Sequence, residues 1–305
     1  MPDAIVTDRL TKWYGSKCVV NQLSLRVPEG CVYGFLGRNG AGKSTTIKML
    51  TGMVHPDDGT VSLLGQVVST MPPEMRQRIA YLAEGHPLYA WMTIDALMRF
   101  TRPFYPAWNQ GLFDQIVDHF QLNRKQKIKH LSKGQVAQVS LALGIAPEPE
   151  LLILDDPTLG LDTVVRRDFL ESLIQIIQKK GRTVFLSSHV LGDVERVADR
   201  IGVMVDGVLR VDCPTDEFKQ SIRRVVLSFD TAPPPFAGCD GLVAAHVEER
   251  RLELVIVGYG DSHRDLFGAM KPSPKNIEVV ELNLEDAFIE YTRGSRRAMP
   301  VFAGD

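Results

Sequence analysis

The chain has 305 residues, with 35 Lys and Arg against 37 Asp and Glu and a formal net charge of −2 at pH 7. This length predicts two domains, since domains usually span about 100–200 residues. The near-neutral charge gives no support for a strongly basic nucleic-acid binder, so no nucleic-acid partner is expected. The four cysteines lie far apart, without the spacing of a zinc site or a disulfide scaffold, and no apolar run reaches the roughly 18 residues of a bilayer span. We therefore expect a cytoplasmic protein that meets a membrane only through a partner.

The N-terminal part of the sequence alternates as β-strands do. Leu23, Leu25 and Val27 recur with period 2, and turn residues separate the short apolar segments up to about residue 70. An apolar run at 31–36 leads into a glycine-rich loop and then into a helical stretch that Gly52 closes. The pattern predicts an antiparallel β layer with a strand, a loop and a helix embedded in it.

The hydrophobic pattern changes twice in the middle of the chain. Residues from about 85 to 150 show helical patterns, which predict a helical insertion. Two further apolar runs follow, at 151–154 and 183–188, with a helical segment between them. Strands that alternate with helices favour a parallel sheet. The fold class is therefore predicted to be α/β, with a parallel sheet core, an antiparallel β layer and a helical insertion.

A second domain is predicted after residue 215. Residues 216–292 combine short apolar runs with one or two helical segments, as in a small α/β domain. Residues 293–305 lack apolar periodicity and are expected to form a flexible tail. The segment offers no catalytic constellation, so its role stays open between dimerisation, regulation and ligand binding.

A glycine-rich loop carries the strongest chemical signal. Residues 37–44 read GRNGAGKS and match the pattern GxxxxGK[ST] between a strand and a helix. In such a loop, backbone N–H groups and the helix N-terminus surround phosphate oxygens. Lys43 would reach the β- and γ-phosphates and act in catalysis, and the Ser44 hydroxyl would ligate Mg²⁺. An incidental lysine in a glycine-rich turn is the alternative. The residues assigned to nucleotide binding here are Gly37, Asn39, Gly40, Gly42, Lys43, Ser44 and Thr45.

Polar residues follow the two later apolar runs. Asp155 comes directly after the run 151–154 and is placed to hold Mg²⁺, although a turn cap is the alternative. Asp156 is placed to orient or deprotonate the water that attacks the γ-phosphate. His189 follows the run 183–188 and is assigned to the γ-phosphate, with a satisfied turn residue as the alternative. These positions predict a ligand edge on an open parallel sheet, as in a P-loop NTPase.

Together these features resemble the ABC ATPase family over residues 1 to about 215. Tyr14 lies where the family has an aromatic ring that stacks on adenine, although an edge-strand aromatic covering the β layer is nearly as good an interpretation. Glu84 lies at the position of the family's Q-loop residue. The resemblance implies that Glu84 senses Mg²⁺ and the γ-phosphate, takes part in catalysis and relays to the transporter.

The segment Leu131–Gln135 reads LSKGQ and resembles the family's LSGGQ signature. Ser132 with Gln135 three residues later is also a capping box, which is the plainer interpretation. The resemblance implies a head-to-tail dimer with two ATP molecules between the subunits, in which Ser132, Gly134 and Gln135 contact the other subunit's nucleotide. It also places Asp162 in the D-loop at the dimer interface.

Three positions depart from the family pattern. Glu84 replaces the Q-loop glutamine, Lys133 replaces a signature glycine, and Asp156 replaces a catalytic glutamate. ATP binding is expected to survive all three changes. Hydrolysis is expected to be slow, because a shift of about 1 Å in a catalytic group can cost on the order of a hundredfold.

A weaker resemblance, to the separately encoded ATPases of bacterial exporters, is carried by FYPAW at 104–108, DDPTLGLD at 155–162 and a C-terminal segment that ends in LEDAFIEYT. It implies an integral membrane permease as a partner and a position on the inner face of the cell membrane. Tyr89, Trp91 and Phe104 are candidates for the permease docking surface, although aromatic residues are more often part of a core. Two alternatives remain: a soluble ABC ATPase without a transporter, and a degenerate subunit that binds ATP with slow or partner-dependent hydrolysis.

Overall fold

The computed structural model describes residues 2–178 and 181–294, and the predicted tail at 293–305 lies outside the described residues from 295 onward. The chain forms two compact units, the first ending at Asp212 and the second beginning at Cys213. The described strands are β1 Asp3–Tyr14, β2 Lys17–Pro28, β3 Val32–Gly37, β4 Asp58–Leu63, β5 Gln66–Val67, β6 Ile79–Leu82, β7 Leu151–Asp155, β8 Thr183–Ser188, β9 Arg200–Val205, β10 Val208–Pro214, β11 Ile222–Ser228, β12 Leu242–Glu248, β13 Arg251–Val257 and β14 Asn276–Glu281. The described α-helices are α1 Lys43–Leu50, α2 Pro73–Arg76, α3 Ile94–Thr101, α4 Gln110–His119, α5 Lys133–Ile145, α6 Thr163–Gln178, α7 Leu191–Val197, α8 Thr215–Ser221, α9 Asp261–Gly268 and α10 Leu284–Gly294.

The first unit contains two sheets. One is a four-stranded sheet in the order β2-β1-β4-β5, with antiparallel pairing throughout. The other has six strands in the order β10-β9-β3-β8-β7-β6, and the pairs from β9 through β3, β8 and β7 to β6 are parallel. The predicted α/β class, with its parallel core and antiparallel layer, is confirmed.

The two sheets share one hydrophobic core. Leu25 and Val61 from the antiparallel sheet pack in the same cluster as Phe35, Ile153 and Phe185 from the parallel sheet. Every residue of β7 and β8 is buried, whereas β2 alternates between buried and exposed positions along its second half. This difference follows from sheet type, because a parallel strand is covered on both faces and an antiparallel strand often on one.

The helical insertion lies between β6 and β7 and contains α3, α4 and α5. All three helices begin at a side-chain cap. Thr93 Oγ1 accepts from the Ala96 N–H at 3.1 Å, Asn109 Oδ1 accepts from the Leu112 N–H at 2.9 Å, and Ser132 Oγ accepts from the Gln135 N–H at 3.2 Å. Such caps satisfy N–H groups that a helix leaves without partners in its first turn. Within the described parts of the chain, each helix is too short or too polar to cross a bilayer.

The second unit is a four-stranded sheet in the order β12-β13-β11-β14. Its described pairs are antiparallel. Val225, Leu254 and Phe267 are fully buried in its hydrophobic cluster, which joins strands β11 and β13 to helix α9. This core is separate from that of the first unit.

Candidate functional site

Three adjacent parallel strands bring the predicted site residues to one edge of the sheet. Strand β8 lies between β3 and β7, with Leu36 paired to Ser188 and Asp155 paired to Ser187. The carboxyl ends of the three strands therefore lie side by side. The chain leaves β3 into the glycine-rich loop, whereas β8 is followed by His189. This is the edge where open α/β sheets bind ligands.

The glycine-rich loop needs glycine for steric reasons. A Cβ atom on Gly37 would lie 2.7 Å from the carbonyl oxygen of Met204, and one on Gly42 would lie 2.5 Å from that of Val19. Gly42 also has a φ of 108° and begins α1 without a side-chain cap. The first N–H groups of α1 have no partner inside the helix. Successive N–H groups at a helix N-terminus suit an anion such as a phosphate.

Lys43 is a buried cation at the start of α1. Its Nζ donates to the carbonyl oxygen of Gly37 at 2.5 Å. Burial lowers the pKa of Lys43, and the carboxylates of Asp156, Asp155 and Glu84 oppose that shift. The lysine is thus a poorly hydrated positive charge held in the loop, which favours binding of an anionic ligand.

Asp155 is buried at the end of β7. Its Oδ1 accepts from Ser187 Oγ at 2.8 Å and from Ser44 Oγ at 3.4 Å. Burial raises the pKa of Asp155; the hydrogen bond from Ser187 lowers it, and the neighbouring charge of Asp156 raises it again. A carboxylate and a hydroxyl on neighbouring elements are oxygen donors of the kind that Mg²⁺ prefers. The donor set therefore fits Mg²⁺ held by few protein oxygens together with phosphate.

Asp156 and His189 form a side-chain pair, with Oδ2 of the carboxylate against Nδ1 of the imidazole. The Asp156 N–H donates to the carbonyl oxygen and to Oγ of Ser187, each at 3.1 Å. The second carboxylate oxygen, Oδ1, is buried and has no hydrogen-bond partner among the described residues. Since buried carboxylate oxygens are seldom left unpaired, this atom is a candidate acceptor for a water molecule.

Glu84 and Tyr14 are exposed side chains. Glu84 follows β6 in an exposed turn, and its charge acts on Lys43. Tyr14 ends β1 and is half exposed, with Lys12 Nζ at 5.8 Å from its ring centroid. Tyr14 pairs with Lys17 of β2, whereas the pairing of β1 with β4 covers only Ile5 to Thr11, so the stacking role and the edge-strand alternative both stay predictions. An exposed ring remains available for stacking.

The LSKGQ segment begins helix α5. Ser132 and Gln135 form the predicted capping box, with Ser132 Oγ accepting at 3.2 Å and Gln135 Oε1 accepting at 3.0 Å. A Cβ on Gly134 would lie 2.6 Å from a methyl group of Val165, so glycine permits close packing of α5 against α6. Asp162 Oδ1 accepts from the first N–H groups of α6, including that of Val165 at 3.0 Å. Each residue has a structural role within its own chain.

The structure does not bring the signature and D-loop residues to the phosphate loop. Among residues 2–178 and 181–294, no hydrogen bond or ion pair joins Ser132, Gln135 or Asp162 to residues 37–45. Lys133 points elsewhere as well, because its Nζ lies 3.8 Å from where a Cβ on Gly160 would be. Within their own chain these residues therefore show no hydrogen bond or ion pair to the phosphate loop among the described residues.

Two contributors at this edge were absent from the sequence prediction. Ser187 holds both Asp155 and Asp156, and His86 contacts the carbonyl oxygen of Pro157, the next residue along the chain. Ser187 lies in the apolar run 183–188, two residues before the predicted His189, so its position on the strand was a usable signal. Nothing in the sequence around His86 indicates its contact.

A phosphate loop, a buried carboxylate whose donor set fits Mg²⁺ and a polar strand edge are the features of a nucleoside-triphosphate site of the P-loop class. Residues 20–159 match the ABC transporter family. The bacitracin transport ATP-binding protein BcrA of Enterococcus faecalis is 33% identical over 251 residues, 82% of this chain and 79% of that protein. The ABC transporter ATP-binding protein YtrB of Bacillus subtilis is 28% identical over 298 residues, 95% of this chain and 98% of that protein.

A solved structure of the same family resembles the fold of this chain. An ATP-binding subunit of an ABC transporter superposes with a TM-score of 0.64 at 27% sequence identity, covering 71% of this chain and 92% of that one. The chain therefore belongs to the family of ABC transporter ATP-binding proteins, an ATP-binding ATPase family.

Proposed function

We propose that this chain hydrolyses Mg-ATP, slowly, as one subunit of a head-to-tail dimer coupled to a membrane permease. The observation that carries the proposal is the grouping of Lys43, Asp155, Asp156 and His189 at adjacent strand ends. A cation, two carboxylates and an imidazole at one edge are the groups that phosphoryl transfer to water requires.

The phosphate loop would bind and orient the nucleotide. Gly40 and Gly42 both have positive φ and present backbone N–H groups, and Asn39 is exposed beside them. Lys43 would exchange its carbonyl partner for the β- and γ-phosphates. Thr45, half buried in the first turn of α1, lies next to Ser44 at the same helix end.

Ser44 and Asp155 are the residues that would hold Mg²⁺, and Glu84 would approach it from the turn after β6. When bound, Mg²⁺ supplies charge neutralisation at the phosphate oxygens. Asp155 is suited to this role because Ser187 already fixes its carboxylate at 2.8 Å. A fixed ligand needs little reorganisation when the metal arrives.

Asp156 would take a proton from the attacking water or orient it. His189 holds Oδ2 through Nδ1, which leaves Oδ1 for the water and Nε2 for the γ-phosphate. The aspartate side chain is one methylene shorter than the family's glutamate. The carboxylate therefore lies farther from the phosphate loop than a glutamate would place it, and this supports slow turnover.

A second subunit would complete the site. The N-terminus of α5 carries Ser132 and Gly134. Among the described residues, Ser132 has no hydrogen bond to the phosphate loop of its own chain. Tyr14 would stack on adenine within its own chain. The exposed Val164, next to Asp162 at the start of α6, gives the facing surface an apolar contact.

An exposed aromatic cluster would dock the permease. Tyr89, Trp91, Phe100 and Phe104 are linked by ring contacts of 6.3, 5.5 and 5.7 Å. We call these four residues the aromatic cluster. Each is at least 45% exposed, so the cluster is not part of a core. Adjacent exposed aromatic rings are typical of a protein interaction site. The partner would place the chain at the inner face of the membrane, and the resemblance to exporter ATPases supports outward transport.

The proposal is tested by ATP hydrolysis with the purified protein, alone and with its permease in vesicles. We expect Mg²⁺-dependent release of phosphate that falls at least a hundredfold in Asp156→Asn, with ATP binding retained. ATP binding without hydrolysis in either preparation would support the degenerate, binding-only alternative. A full rate of ATP hydrolysis that stays the same when the permease vesicles are added would favour the soluble ATPase instead.

A further inference from the structure

His86 is buried in a loop whose neighbouring residues are exposed. It is 6% exposed, whereas Glu84, Gly85 and Pro87 on either side are exposed. Its φ of 49° lies in the left-handed region, which a residue with a side chain seldom adopts. The burial of this imidazole thus goes together with an unfavourable backbone conformation at His86.

The imidazole contacts the segment that follows Asp156. His86 Nε2 lies 2.9 Å from the carbonyl oxygen of Pro157, and the ring lies against Phe169 with centroids 6.4 Å apart. Because a carbonyl oxygen only accepts, Nε2 is the protonated nitrogen. Nδ1 is buried without a partner among the described residues, so the contact with Pro157 is the polar interaction that the structure shows for this side chain.

The contact joins two segments that are distant in sequence. Within the part of the chain that the structure describes, no other hydrogen bond connects residues 83–93 with residues 155–162. The far end of the same loop is also held, because Lys129 N–H donates to the carbonyl oxygen of Ala90 at 3.0 Å. The loop is therefore fixed to the Asp156 segment at one end and to the approach to helix α5 at the other.

Asp156 depends on few other supports. Ser187 holds its N–H, His189 holds Oδ2, and the Leu159 N–H donates to its carbonyl oxygen at 3.1 Å. Asp156 also has a positive φ, 47°. A residue in this region keeps its conformation only when the surrounding contacts determine it. The hydrogen bond on the Pro157 carbonyl, which belongs to the peptide after the Asp156–Pro157 bond, is a further constraint on this segment, and His86 makes it.

We propose that His86 is a positioning residue for hydrolysis, which fixes the Pro157 carbonyl and thereby the carboxylate of Asp156. The inference rests on the proposed function, since it requires that Asp156 acts in hydrolysis. The proposed role of the imidazole needs no contact with the nucleotide. It acts by holding a peptide whose shift by a fraction of an ångström would move the carboxylate from the attacking water.

The test compares four variants of the full-length protein, with kcat, KM and ATP affinity measured for each. We expect His86→Leu to lower kcat at least tenfold and to leave ATP affinity within twofold of wild type. His86→Gln, whose amide N–H can reach the Pro157 carbonyl, should recover most of kcat, and His86→Asn, which is shorter, should not. His119→Leu is the matched control: it replaces an exposed histidine that contacts Ser172, and kcat should not change.

Equal kcat values for wild type, His86→Leu and His86→Asn would overturn the inference, as would a loss of ATP affinity in parallel with kcat. Thermal unfolding identifies any variant that fails to fold, and the Gln and Asn variants then decide. In an Asp156→Asn background, His86→Leu should cost less than a further twofold. If Asp156→Asn itself leaves kcat unchanged, the proposed function fails first and the inference falls with it.

A measurement without turnover gives an independent readout. Nitrogen NMR of imidazole-labelled protein should show a protonated Nε2 on His86 in a slowly exchanging hydrogen bond. An Nδ1–H tautomer, or a ring proton that exchanges at the solvent rate, would contradict the geometry even in a chain that hydrolyses no ATP.

Discussion

The carboxylate of Asp156 and the imidazole of His189 meet across the ends of two adjacent parallel strands, β7 and β8. Nδ1 of the ring forms a hydrogen bond with Oδ2 of the carboxylate. Oδ1 is buried and has no hydrogen-bond partner among the described residues. The pair divides the roles of the two groups. Under the proposed mechanism, the carboxylate would keep Oδ1 for the attacking water, and the imidazole would keep Nε2 for the γ-phosphate.

The length of the Asp156 side chain should limit the rate. We expect Asp156→Glu to raise the single-turnover rate of ATP hydrolysis, because the longer side chain carries the carboxylate closer to the phosphate loop. Asp156→Asn should lower it by about two to three orders of magnitude, as for loss of a general base. Rapid-quench measurement of phosphate release checks both. A rate in Asp156→Glu at or below the wild-type rate would contradict the prediction.

Lys43 should contribute to ATP binding and little to the stability of the nucleotide-free fold. Burial lowers its pKa, and the hydrogen bond to Gly37 together with the nearby carboxylates offsets the cost of burying its charge only in part, so a bound anion adds stabilisation that the free protein lacks. Lys43→Met should therefore abolish the rise in melting temperature on addition of Mg-ATP, with little change without it. Lys48→Met, an exposed lysine in the same helix, is the matched control. A normal ATP-induced shift in Lys43→Met would refute this assignment.

The local motifs were the part of the site that the sequence could predict. Residues 37–44 and the Ser132–Gln135 capping box each lie within one loop or helix end, so spacing along the chain fixes their geometry. Asp155 was predictable because it directly follows a continuous apolar run that becomes β7. In each case the signal lies within one short stretch of sequence.

The remaining contacts depend on pairings that no local pattern encodes. Ser187 reaches Asp155 through the register between β7 and β8, 32 residues apart, and His86 reaches Pro157 across 71 residues. The sequence left open whether Trp91 is in the core or on the surface, because a single aromatic residue does not show which face of its segment is buried. The antiparallel pairing of β11 with β13 was likewise left undetermined by strand patterns alone.

Asp155 should destabilise the nucleotide-free protein at neutral pH. Burial raises its pKa in the folded state, so the folded chain binds more protons than the unfolded chain between the two pKa values. The free energy of unfolding falls as the pH rises through that interval. Above the interval, the full destabilisation by the ionised, buried carboxylate remains. Asp155→Asn should therefore melt higher than wild type at pH 7.5 and lose that advantage as the pH is lowered toward 4. Differential scanning calorimetry decides, and an Asn variant that melts lower than wild type at pH 7.5 would show that the ionised carboxylate stabilises the fold instead.

Ser132 should have two separable roles. Ser132→Ala removes the cap of α5 and should lower the free energy of unfolding by about 0.5–2 kcal/mol. Ser132→Asp keeps a good cap but adds a negative charge, so it should retain stability and prevent ATP-induced dimerisation. Thr93→Ala, which removes the cap of α3, should lower stability without affecting dimerisation. Light scattering with and without ATP checks this. A dimer that forms normally in Ser132→Asp would leave capping as the sole role.

The aromatic cluster should couple the chain to its permease without contributing to the fold. Trp91 is 66% exposed and Phe104 60%, so Trp91→Ala with Phe104→Ala removes side chains that bury little area within the chain. We expect the melting temperature and the basal ATPase rate of the free protein to stay near wild type, whereas stimulation by the permease in vesicles should fall at least fivefold. Met53→Ala, at 60% exposure outside the aromatic cluster, controls for the loss of any exposed apolar side chain. Undiminished stimulation in the double variant would place the docking surface elsewhere, and a large drop in melting temperature would show that the rings are structural after all.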